Sequence, residues 1–138
     1  MEIIYHEAFS AWIADVFKAD LEVAGQVQSL IDALERHGTQ LGQPEAGPIA
    51  GSNLKLRALR RSPPTATTPY AEGPPFLRML YGFVDKGEGE TAAVILLGGD
   101  KTVTGNDWYP LNIVEAERRM EILAKKQGWR ILKIQFKD

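Results

Sequence analysis

A chain of 138 residues, 44% apolar and 25% charged, has the balance of a globular protein and is expected to form one domain spanning 1–138. It has no cysteine, which excludes disulfides, thiolate metal sites and cysteine nucleophiles. The net charge of −2 hides a segmental polarity: residues 1–52 hold two bases against eight acids, residues 53–86 hold six against two, and residues 87–138 balance at eight each.

Glu2–His6 reads as a short first strand. Phe9, Trp12, Ile13, Val16 and Phe17 then recur at helical spacing, with Ser10 as the expected cap. Ala19-Asp20 marks a turn or kink. A second helical face follows in Val23, Val27, Leu30, Ile31 and Leu34, closed at Gly38 by a left-handed cap. The two helices should pack as an acidic hairpin. Residues 39–52, rich in glycine and proline, read as loop.

Asn53–Arg60 alternates at Leu54, Leu56 and Ala58, which predicts a strand with Lys55 and Arg57 on its other face. Residues 61–75 hold five prolines and are expected to form an irregular loop insertion. Phe76–Val84 and Thr91–Leu97 predict two strands joined by a hairpin turn around Gly87-Glu88-Gly89, the second apolar enough to be covered on both faces. Gly98–Pro110 reads as loop. A third helix is expected from a capping box at Asn112 and Glu115, with Ile113, Ala116, Met120 and Leu123 buried and Gly128 at its end. Leu132, Ile134 and Phe136 place a last strand in 129–136. The fold class is therefore α+β, with a mainly antiparallel sheet.

Chemistry-bearing motifs are sparse. His6 and His37 have no partners at metal-ligand spacing, so no metal and no cofactor are expected. The longest apolar run, Ala92–Leu97, is far short of the ~20 residues needed to cross a bilayer. The start of the chain lacks the pattern of a signal peptide, and a cytoplasmic location is expected. What remains is a basic middle: Lys55, Arg57, Arg60 and Arg61 on one segment, Arg78 on the next, and Asp100-Lys101 with Trp108-Tyr109 beyond. Arginine forks suit phosphate, and aromatic rings stack on splayed bases. Each residue also has a plainer role: solvated strand for Arg57 and Arg60, helix seal for Trp108, turn anchor for Asp100, and a charged helix face for Glu117, Arg118 and Arg119.

Three separated motifs, L-x-L-R-x-L-R at 54–60, F-L-R-M-L-Y-G-F at 76–83 and L-L-G-G-D-K…W-Y…I-x-x-A-E-R-R at 96–119, resemble the HigB-like (phage Gp49-like) branch of the RelE/ParE toxins. The resemblance covers almost the whole chain. It implies a RelE-like fold and a type II toxin that cleaves mRNA, usually on the ribosome, without a metal. A cognate antitoxin, expected to be a helix-turn-helix DNA-binding protein, would silence it. On this resemblance Arg57, Arg60, Arg78, Lys101 and Tyr109 are the candidate catalytic residues, Lys55, Arg61 and Trp108 the candidate RNA contacts, and Asp100 a support. The sequence departs from the family in its acidic pI of about 5.7 and in its proline-rich insertion. Two further readings stay open: a ParE-like inhibitor of DNA gyrase, and a phage-derived interaction module without catalysis. Neither the net charge nor any predicted helix suits unaided binding to duplex DNA.

Overall fold

A computed structural model describes residues 1–61 and 76–134. The chain runs β1 (Glu2–Tyr5), α1 (Glu7–Ala19), α2 (Leu21–His37), β2 (Ala46–Pro48), β3 (Arg57–Arg61), β4 (Leu77–Asp85), β5 (Thr91–Asp100), α3 (Tyr109–Gln127) and β6 (Arg130–Leu132). The sheet order is β1-β5-β4-β3-β2, and β6 pairs with the end of β4 beyond β3. Among the described residues only the β1–β5 pairing is parallel. This is the α+β, RelE-like arrangement expected: the α1–α2 hairpin covers one face of a mixed sheet, and α3 covers the other.

Strand alternation sorts the core into two layers. Leu59, Met79, Tyr81, Phe83 and Ile95 meet Phe9, Val27, Ile31 and Leu34 of the hairpin. Ala58, Leu80, Val84, Val94 and Leu96 meet Ile113, Ala116 and Met120 of α3. The two long inner strands, β4 and β5, are thus covered on both sides. Phe17, expected on the buried face of α1, is instead exposed. No helix of the described residues is long and apolar enough to cross a membrane.

Several boundaries differ from expectation, each for a local reason. His6, not Ser10, caps α1: its Nδ1 accepts from the Ala8 N–H at 3.1 Å. Asp20 turns the chain between the helices, its Oδ1 accepting from Glu22 N and Val23 N at 3.0 and 3.1 Å. Asp20→Ala is expected to cost about 1 kcal/mol, seen as a melting point lower by a few degrees. Gly38 has φ +53 but ψ −125, so it is not the left-handed cap expected. The stretch 39–52 is not wholly loop, because Ala46–Pro48 adds an edge strand to β3.

The predicted strand 53–60 is shifted. Lys55 has φ +56 and sits in an exposed turn, and pairing begins only at Arg57. Expected as loop from Gly98, the chain stays in β5 as far as Asp100. The glycines at 98 and 99 have a packing reason. A Cβ on Gly98 would overlap the Trp12 indole of α1, and one on Gly99 would lie 2.6 Å from Trp108 Nε1. The two rings close on β5 from opposite faces, so neither position admits a side chain without displacing a large aromatic.

A short 3-10 turn, Gly105–Trp108, leads directly into α3, which starts at Tyr109-Pro110 and not at an Asn112 capping box. Asn112 donates from Nδ2 to the Trp108 carbonyl at 2.6 Å. Gly128 does adopt the left-handed cap, with φ +72. Among the described residues the last strand covers Arg130–Leu132; Arg61, expected to open the insertion, ends β3 instead, and the rest of the insertion, 62–75, and Phe136 lie outside the described residues.

Candidate functional site

The expected basic strand pair is divided by the sheet. Along β3, Arg57 and Arg61 turn to the hairpin side with Leu59, whereas Arg60 turns to the α3 side with Ala58. Arg57 is buried at 2% exposure, and its guanidinium donates to the Leu41 carbonyl. Arg61 donates to Gln26 Oε1 of α2 at 2.6 Å; burial lowers its pKa, against the opposing pull of Asp20 and Glu22. Arg61 ties the strand to the hairpin and Arg57 ties it to the segment that follows α2, so the solvated-strand expectation for Arg57 is corrected.

On the α3 side, Arg60, Arg78 and Lys101 open onto one cavity of about 750 Å³ between the sheet, the segment after β2 and the first half of α3. Arg60 and Arg78 are direct cross-strand partners, and Gly99 lies beside Arg78 on β5. Arg78 is 6% exposed. Its Nη1 donates to the carbonyls of Arg61 (3.1 Å) and Leu77 (2.9 Å), and its Nε to the Tyr109 hydroxyl (3.1 Å). The fork is therefore oriented before any ligand arrives. Arg60 lies over Gly47 and donates to the Pro48 carbonyl at 3.2 Å.

Lys101 Nζ donates to Asn106 Oδ1 at 2.8 Å and stands 5.4 Å from the Tyr109 ring centroid. Its pKa is lowered, first by burial and then by the charges of Arg78 and Arg60. Three cations thus share one space, where the two arginines disfavour the charge on Lys101. An incoming anion would relieve that repulsion.

The remaining expectations fall out as follows. Tyr109 lines the cavity, while Trp108 packs edge-on against Tyr109 and over Gly99, so its placement is that of a seal. Asp100 anchors the turn, accepting from Thr102 N at 2.8 Å and from the Thr102 hydroxyl. Lys55 is exposed, in the turn that follows the cavity wall. Arg118 and Arg119 pair with Glu115, as a charged helix face should, and hold that carboxyl down to about 2. Glu117 does not belong to that face. It lines the cavity, and its Oε2 accepts from Ser52 Oγ (2.9 Å) and Leu54 N (2.8 Å). The available signal was its spacing, two turns from Tyr109 and one from Ile113 on the same helix side.

The chain is 31% identical over 114 residues, 81% of its own length and 87% of the relative's, to a Mycobacterium tuberculosis protein named "Putative toxin HigB3". The chain belongs to the HigB-like toxins. No family model and no solved structure matches it. As a HigB-like toxin it is one component of a toxin–antitoxin system, and a cognate antitoxin is implied. In this HigB-like chain the polarity seen along the sequence becomes spatial: the acidic hairpin lies on one side of the sheet, and the cavity with its three cations lies on the other.

Proposed function

We propose that this HigB-like toxin is a metal-independent endoribonuclease that cuts mRNA, on the ribosome, and so arrests translation and growth. The observation that carries the reading is the convergence of Arg60, Arg78 and Lys101 on one cavity beside Tyr109. In the reaction the 2′-oxygen bonds to phosphorus as its proton leaves to water, the bond from phosphorus to the 5′-oxygen breaks, and a 2′,3′-cyclic phosphate forms. Charge on the non-bridging oxygens rises during attack, and Arg78 and Arg60 are positioned to meet it. Lys101, its pKa lowered, gives a proton more readily than an ordinary lysine and is suited to protonate the departing 5′-oxygen. Tyr109 holds the Arg78 fork and offers a ring to a base. Lys55 supplies an outlying contact to the RNA backbone. Arg57 and Arg61, on the other face, hold β3 to Leu41 and to α2 instead.

Induced expression without the antitoxin should stop growth, and primer extension should map new 5′ ends within translated messages. Arrest with intact messages and failing supercoiling would replace this reading with a ParE-like one acting on gyrase; no effect on growth would leave an interaction module. The antitoxin is proposed to be a helix-turn-helix repressor, so the toxin alone should not shift operator DNA.

A further inference from the structure

The far end of the cavity holds a group that the phosphate chemistry does not use. Glu117 lies eight residues beyond Tyr109 on α3, about 12 Å along the helix axis. That distance takes its carboxylate away from a phosphate seated at Arg78 and Tyr109. It matches the reach of a ribonucleotide from its 3′-phosphate to the outer edge of its base.

The carboxylate is held in one pose. Oε2 is occupied by the Ser52 hydroxyl and the Leu54 N–H, and Ser52 Oγ in turn accepts from Leu56 N at 3.0 Å. Ser52 is itself buried, at 8% exposure. Oε1 takes no hydrogen bond among the described residues. Between this end and the cations, the cavity is walled by apolar side chains, with Ile49 on one side and Pro110 and Ile113 on the other. An apolar slot with a cationic phosphate seat at one end and a fixed acceptor at the other has the layout of a nucleotide site.

We propose that Glu117 reads the base 5′ to the cut: it accepts a hydrogen bond from an exocyclic amine and so favours adenine or cytosine over uracil. This rests on the ribonuclease reading. An acceptor fixed in direction pairs with the amine at adenine N6 or cytosine N4, and it faces the carbonyl oxygen that uracil carries at the same place. Asn53 lines the same end and is available to the adjoining ring nitrogen. Glu117 is thereby a specificity-determining residue that acts on the base and takes no part in bond breaking.

Binding of 3′-AMP, 3′-CMP and 3′-UMP to the purified toxin, measured by calorimetry, tests this apart from cleavage. The expected result is a preference of about tenfold for the two amino-bearing nucleotides over 3′-UMP. Glu117→Gln should reverse the order with little change in melting point. The amide oxygen keeps the Ser52 and Leu54 bonds, and the amide nitrogen then presents a donor where Oε1 was an acceptor. A carboxylate that merely stapled the 52–54 segment would give no such reversal. Equal affinity of the unaltered toxin for all three nucleotides, each weakened by Arg78→Ala, would overturn the base reading and leave the ribonuclease reading standing. No binding of any nucleotide would overturn the base reading too, and primer extension would then decide the ribonuclease reading alone.

Discussion

Arg78→Ala is expected to lower mRNA cleavage by roughly 100–1,000-fold, the usual cost of removing one preorganised contact to an oxyanion. The guanidinium is buried and satisfies two backbone carbonyls and the Tyr109 hydroxyl, so truncation should also cost about 1–3 kcal/mol. Cleavage must therefore be compared well below both melting points. Arg78→Lys keeps the charge and loses the fork, and it should recover little activity. Tyr109→Phe removes one acceptor while leaving the guanidinium in place, and its loss should be smaller. An Arg78→Ala protein that is folded at the assay temperature and still cuts messages at the normal rate would take this residue out of the site.

Lys101→Met should separate activity from stability in the opposite sense. Proton transfer by a positioned group is worth about 10²–10⁴-fold, and cleavage should fall by that order. The sign of the stability change follows from the lowered pKa. The folded protein binds this proton less tightly than the unfolded chain does. Charged Lys101 therefore costs stability throughout the range below its folded value, and the cost fades as pH climbs from there to 10.5. At neutral pH the methionine variant should melt at the same or a higher temperature. The gain should be no more than about 1 kcal/mol, because the amine is partly solvated. It should narrow as the pH approaches 10.5. A clear drop in melting point would mean that the bond to Asn106 outweighs the repulsion among the three cations.

The periodic parts of the chain were legible from the sequence. Both hairpin helices, the buried stripe of α3 and strands β4 and β5 declare themselves by spacing, because each buries a continuous apolar face. β2 was hidden: three residues, Ala46-Gly47-Pro48, carry no alternation and become a strand only by pairing with β3. The two glycines after Leu97 looked like a turn because their function is negative, leaving room for Trp12 and Trp108. For the site, the cation set was legible as a list of residues but not as a place. The strand rule that adjacent side chains point to opposite faces already divides Arg57 and Arg61 from Arg60. What obscured it is the apolar–polar pattern, which breaks at Leu59-Arg60 because both faces of the strand are covered: Leu59 is buried under the hairpin and Arg60 faces the cavity. Glu117 was hidden by company, since its two neighbours, Arg118 and Arg119, pair on the helix surface as any charged run would.

The small edge strand β2 fixes more than its length suggests. It holds β3 in one register, Ala46 against Leu59, Gly47 against Ala58 and Pro48 against Arg57, while β4 holds the same strand from the other side. A slip of a single residue would withdraw Arg60 into the apolar layer under the hairpin and bring Leu59 or Arg61 to the cavity in its place. Three consecutive residues of β3 thus encode two different strands, one that offers Arg60 to the cavity and one that withholds it, and the chain is committed to the first by three residues that carry no chemistry of their own.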